Sequence, residues 1–146
     1  MSKLTEMLRR HEGEVKNSAG RHIVYDCPAG HATIGIGRNV SESGLGLSDI
    51  EAELMLENDI DRSIKELGAA FNWFSDLNEA RRDAMIDLVF NMGLTRLTGF
   101  KKALAAMADA NYDLAAAEFM DSKWASQVKD RAIEICAMIK TGNYNK

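Results

Sequence analysis

Only one stretch of this chain, Ile23 to Gly37, changes to a period of two; the segments on either side repeat their apolar residues every three or four. Period two belongs to a strand and period 3.6 to a helix, so the chain is confined to a small β element within a mostly helical protein. The single proline, Pro28, and the scarcity of β-branched runs outside residues 23–36 agree with this. Ile34 and Ile36 point one way, toward a small core, while Thr33, Gly35 and Gly37 point the other. Glycines on that second face leave room for something to approach the backbone. Pro28-Ala29-Gly30 supplies the turn. The pattern predicts a hairpin of two short strands with one wet face that carries Thr33.

The helical segments have readable ends. Leu4, Met7, Leu8 and His11 form the stripe of a helix over residues 3–12, with Gly13 as its stop. Residues 14–22 read as a loop. Ser48-Asp49-Ile50-Glu51 is a capping box. It opens a helix with Leu56, Ile60, Ile64 and Leu67 on one face, closed by Gly68. Its roughly 19 residues span about 28 Å, enough to tie two lobes together. Asn78 caps the next helix, whose apolar face is Ala84, Met85, Leu88 and Val89, ending near Met92-Gly93. Further helices are expected near 98–109, 112–120 and 128–140, broken at Asn111 and Asp121-Ser122.

Bulk properties exclude several classes. At 146 residues, 46% hydrophobic and 27% charged, the chain suits one globular core or two lobes that share a helix. The net charge of −4 weighs against a nucleic-acid binder and gives no long-range pull toward an anionic wall. Cys27 and Cys136 form no C-x-x-C pair, and His11, His22 and His31 lack metal-ligand spacing, so no metal or cofactor is expected. The first residues lack an apolar signal region and no apolar run approaches 18 residues. Synthesis in a cytoplasm without membrane insertion is therefore the expectation.

Chemistry concentrates near the front. Glu12 ends the first helix at the border of its apolar stripe, where partial desolvation and the helix dipole both favour a neutral carboxyl. Asp26, Cys27 and Thr33 follow on the hairpin. An acid facing a second proton-handling group across a groove is what cleavage of a glycosidic bond requires. Taken singly, each residue has a plainer reading. A glutamate ending a surface helix is often just solvated, Cys27 suits a small buried hydrophobe, and Thr33 suits any strand. An aspartate is ionised at neutral pH, whereas an ordinary thiol is mostly protonated there.

The runs Leu8-Arg9-Arg10-His11-Glu12-Gly13 and Tyr25-Asp26-Cys27-Pro28-Ala29-Gly30-His31-Ala32-Thr33-Ile34-Gly35-Ile36-Gly37 resemble the tailed-phage lysozymes (endolysins, glycoside hydrolase family 24). The family pattern is Glu, a variable spacer, Asp or Cys, five residues, then Thr before Ile-Gly-x-Gly. Counting back from Thr33 reaches Cys27, so the resemblance carries the second catalytic role there, with Asp26 as fallback. Asn78 to Gly93 looks like the family's central helix, and Thr141-Gly142-Asn143-Tyr144 like its C-terminal turn.

The resemblance implies an α+β, mostly helical, two-lobe fold in a single domain. It has a hairpin-bearing N-lobe (about 13–48), a connecting helix (about 49–67) and a helical C-lobe (about 69–146, with helix 3–12). It implies hydrolysis, with inversion, of the β-1,4 bond between N-acetylmuramic acid and N-acetylglucosamine in bacterial peptidoglycan. The setting would be host-cell lysis by a monomer that depends on a separate membrane-permeabilising protein. Glu12, Cys27 and Thr33 would be catalytic, and Phe90, Asn91 and Asn39 would contact substrate. Arg131 would support the cleft by pairing with the acid. Arg38 is expected to pair with Asp59, and Trp124 to pack.

Three departures stand out. The spacer from Glu12 to Cys27 is longer than in T-even members of the family, the segment from Asn39 to Ser48 is shorter, and the charge is more acidic. A rival reading is a lysozyme-like structural module that grips peptidoglycan without cutting it.

Overall fold

The computed structural model describes residues 2–144 and is mostly helical, with one small antiparallel sheet. Its elements are α1 (Lys3–Glu12), β1 (Tyr25–Asp26), β2 (Ala32–Ile34), β3 (Arg38–Asn39), α2 (Asp49–Ala70), α3 (Glu79–Met92), α4 (Leu94–Thr98), α5 (Lys101–Ala108), α6 (Tyr112–Met120), α7 (Lys123–Val128) and α8 (Asp130–Thr141). The backbone divides into two compact units that meet within α2, one ending at Met55 and the other beginning at Leu56.

In the first unit, Ser2 caps α1 by accepting the Thr5 N–H at 3.1 Å. Gly13 ends the helix with φ +71°, its N–H returned to the Arg9 carbonyl. The loop that follows is organised by Asn17, whose Oδ1 accepts the N–H groups of Ala19 and Arg21, both at 3.0 Å. The sheet has three strands in the order β1-β2-β3, one more than the period-two pattern predicts. The third, Arg38–Asn39, is too short to show an alternation, and Gly35-Ile36-Gly37 forms the turn that leads into it. The facing also differs from the expectation. Thr33, on the central strand between Tyr25 and Asn39, is the buried residue at 4% exposure, whereas Ile34 and Ile36 are half-buried. Among the described residues of this unit, no hydrophobic side chain is fully buried.

The Ser48–Glu51 capping box forms as expected. The Ser48 N–H donates to Glu51 Oε1 at 3.0 Å, and the Glu51 N–H to Ser48 Oγ at 3.2 Å. Helix α2 continues to Ala70, carrying Gly68 within its last turn.

The second unit holds the core. Leu67, Met85, Leu88, Leu97, Met107, Phe119, Trp124 and Ile139 are its largest fully buried side chains. The Phe119 ring meets Trp124 edge-on at 6.5 Å and tilts against Phe100 at 5.4 Å, a favoured aromatic geometry. Asn78 caps α3, Asn111 caps α6 and Ser122 caps α7, each accepting a backbone N–H three residues on. The helix expected near 98–109 runs as α5, and the short α4, which was not expected, precedes it across Gly99-Phe100. The last one is preceded by α7 and a sharp reversal at Lys129, a non-glycine residue at φ +51°.

Arg81 fastens the end of α8. Its Nε and Nη2 donate to the carbonyls of Ile139 and Lys140 at 2.7 and 3.2 Å, and its guanidinium lies 3.7 Å from the centre of the Tyr112 ring. Asn78 Nδ2 adds a bond to the Gly142 carbonyl at 2.9 Å. Among the described residues no helix is long and apolar enough to cross a membrane. Because Asn78 serves both as cap and as latch, Asn78→Ala is expected to cost about 1–2 kcal/mol, measured by urea unfolding.

Candidate active site

Glu12 stands at the end of α1 with its side chain exposed. Helix α1 buries no residue, so the desolvation expected from its apolar stripe is not what shapes the surroundings of this carboxyl. Its neighbour is the turn between β2 and β3. A Cβ built on Gly37 would lie 2.7 Å from Glu12 Oε2 and 2.9 Å from its Cδ and Cγ. The end of the acid therefore rests directly on bare backbone. Thr5, Leu8, Arg9 and Ile36 join these two residues around a cavity of about 300 Å³.

Cys27 opens the other turn of the hairpin and is half-buried. Its N–H donates to the His31 carbonyl at 2.9 Å, its carbonyl accepts the Gly30 N–H at 2.8 Å, and its sulfur accepts the His31 N–H at 3.4 Å. Successive backbone N–H groups aimed at one atom make a nest for negative charge. The His31 N–H is foremost in holding this thiol below its ordinary pKa. Desolvation opposes it, and the Ala29 N–H, the Thr33 hydroxyl and the Gly30 N–H add to it. Thr33 is thus not on a wet face. It is buried, with its hydroxyl donating to the His31 carbonyl at 2.9 Å and within reach of the sulfur. Asp26, one residue earlier on β1, is exposed.

Two further residues of this unit have structural duties. Arg38 pairs with Glu51 at 2.9 Å and also donates to the Gly46 carbonyl at 2.9 Å. The expected partner Asp59 instead faces Arg62 one turn along α2, at 3.3 Å. Glu51 wins because the capping box already fixes its carboxylate beside the Gly46 carbonyl. Asn39 turns its Oδ1 into its own loop, accepting the N–H of Ser41 at 3.0 Å and the hydroxyl at 2.6 Å.

On the second unit, Phe90 is 42% exposed at the edge of a groove of about 430 Å³, lined also by Leu56, Ile60, Ile86, Asp87 and Arg131. Arg131 Nε donates to Asp87 Oδ1 at 2.8 Å. The sequence reading did not single out Asp87. Its only signal was its place one turn before Phe90 in the otherwise apolar run from Ala84 to Phe90. Asn91 does not face the groove's lining: its Oδ1 accepts the buried Trp124 indole N–H at 2.5 Å. Trp124 packs, as expected. Cys136 is buried in the core, which pushes its thiol up to about 11.

Two measurements check these electrostatics. Iodoacetamide is expected to alkylate native Cys27 well before Cys136, with a half-maximal rate at a pH below that of an ordinary thiol. Thr33→Val should move that midpoint upward, read by peptide mass spectrometry. Glu51 is held down at about 2, from a usual 4.5, first by the Arg38 side chain and then by the N–H and hydroxyl of Ser48. A depressed carboxyl stabilises the fold above its unfolded value and loses that contribution as protons bind. Acidification from pH 4.5 toward 2 should therefore loosen the 38–51 segment in the parent but add no comparable step in Glu51→Gln, followed by amide NMR.

Comparison with known proteins identifies a family. The family model described as phage lysozyme matches residues 16–135, a span that contains Cys27 and Thr33 and begins just after Glu12. The chain is similar to probable T4-type lysozyme 1 of Dictyostelium discoideum, at 26% identity over 99% of this chain and 98% of that protein. It is also similar to probable T4-type lysozyme 2 of the same organism, at 25% identity over 97% and 96%. A third relative is the pre-baseplate central spike protein Gp5 of Enterobacteria phage T4, at 28% identity over 96% of this chain and 28% of that protein. With a mostly helical α+β fold, an acid seated against a small hairpin and a family match across most of its length, the chain belongs to the phage lysozyme family.

Proposed function

We propose that this protein is a muramidase that hydrolyses the β-1,4 bond between N-acetylmuramic acid and N-acetylglucosamine of bacterial peptidoglycan, serving as an endolysin in host-cell lysis. The observation that carries the reading is the first unit's pairing of functions. One turn of the hairpin seats the Glu12 carboxyl, and the other holds a sulfur in a ring of N–H donors.

In this mechanism Glu12, protonated, gives its proton to the glycosidic oxygen as the bond from C1 to that oxygen breaks. A water adds to C1 from the opposite face and its proton passes to the Cys27 thiolate, so the new hydroxyl has inverted configuration. Thr33, buried beside the sulfur, orients Cys27 rather than the water. The half-buried position of Cys27 and its N–H donors favour it over exposed Asp26 as the second group. Phe90 offers a ring face to sugar, and Asp87 holds Arg131 at the same groove. Asn91 and Asn39 act from behind, the one by fixing Trp124 and the other by shaping its loop. The chain works as a monomer without cofactor, and a separate protein opens the membrane.

Similarity to a central spike protein supports one alternative, a wall-gripping structural module that does not cut. A turbidity assay on purified murein separates the two. Glu12→Gln is expected to lower the rate at least about 10²-fold, the usual scale of general acid catalysis. Cys27→Ser should fall strongly, Cys27→Asp should retain activity, and Asp26→Asn should stay within a few-fold. Loss in Asp26→Asn with none in Cys27→Ser transfers the second role to Asp26. A parent that pellets with walls yet never clears them supports the structural module.

A further inference from the structure

We propose that Gly37 is a positioning residue for the acid: its bare backbone is the seat that fixes where the Glu12 carboxyl stands. The inference rests on the reading of Glu12 as general acid and adds to it the group that aims it.

The two glycines of the β2–β3 turn make the case by contrast. Both have left-handed backbones, Gly35 at φ +64° and Gly37 at φ +78°, so both are costly to replace by a residue with a Cβ. Their surroundings differ. A Cβ on Gly35 would meet nothing within 4 Å, whereas one on Gly37 would overlap Cγ, Cδ and Oε2 of Glu12 at 2.7–2.9 Å. Turn geometry accounts for a glycine at both positions, but only Gly37 has a neighbour at its open face. That face is filled by the acid.

The main chain of Glu12 is already fixed. It is the last residue of α1, and Gly13 turns the chain immediately with its N–H on the Arg9 carbonyl. What remains free is a long side chain of three torsions, exposed to solvent. Contact along its outer half with the Gly37 backbone restricts those torsions without a hydrogen bond to either carboxyl oxygen being required. The overlap created by a Cβ would be relieved by the flexible partner, so the acid would swing away while the fold stayed intact. An ordinary contact needs 3.4 Å or more, so the carboxyl would move by several tenths of an ångström at least. A misplacement on the order of 1 Å at a reacting group can cost about 10²-fold.

The test compares Gly37→Ala with Gly35→Ala in the full chain. Their thermal midpoints should fall by similar amounts, since both carry the same backbone strain. Gly37→Ala should lose about 10- to 100-fold in kcat on soluble murein fragments with KM within a few-fold, while Gly35→Ala keeps kcat within about threefold. The carbonyl ¹³C resonance of the Glu12 side chain should shift in Gly37→Ala and stay in place in Gly35→Ala. Gly37→Asn, with a Cβ on a residue that tolerates the left-handed region, replaces Gly37→Ala if that variant does not fold. Equal kcat losses at the two positions, an unmoved Glu12 resonance, or failure of both Gly37 variants to fold while Gly35→Ala folds would each overturn the proposal. If the parent itself fails to cleave murein, the muramidase reading falls alone, because the resonance comparison needs no turnover.

Discussion

A buried indole must place its N–H somewhere, and in this protein that need ties the core to the surface. Trp124 is almost wholly enclosed, and its N–H goes to Asn91 at the end of α3. That bond locks α7 to the last turn of α3, next to Phe90, the exposed ring of the same turn. The packing of Phe119 against Trp124 extends the constraint to α6. The amide that the resemblance makes a substrate contact therefore has its oxygen committed to Trp124, while the aromatic beside it lines the groove.

The charged residues divide in the same way. Several of them act as fasteners. Arg81 closes the end of α8 against Tyr112, and Arg38 joins the sheet to the start of α2 through Glu51. Asp87 and Arg131 satisfy each other at the groove beside Phe90. With so many charges paired locally and a mild net charge of −4, recognition of an anionic polymer has little long-range field to draw on. It must come from contacts made at short range.

Much of the fold was legible because its ends are written in local chemistry. Gly13, the Ser48–Glu51 box, Asn78, Gly93 and Asn111 each bound a helix where their side chain or backbone says they should. Elements without such a signal were missed: β3 has only two residues, and α7 ends at Lys129, a lysine where a glycine would have announced the turn. The β-hairpin's location was readable, but its inward face was not. Period two tells which residues share a face, not which face is covered, and Thr33 is covered by its own turn. The candidate acid was visible from its place at the end of α1, and the candidate thiol through the family resemblance. Asp87 and the seat at Gly37 were not, because both depend on neighbours far away in the chain.

The absence of any fully buried hydrophobic side chain among the described residues of the first unit has a consequence for how the protein comes apart. Caps, tight turns and a two-to-three-residue ladder resist opening far less than a closed apolar interior does. Amide exchange should thus be shallow there and deep around Leu88 and Phe119, and heat or protease should reach the bearer of Glu12 and Cys27 while the helical remainder still stands. Loss of activity and loss of helix would be two separate events in this molecule, the first preceding the second.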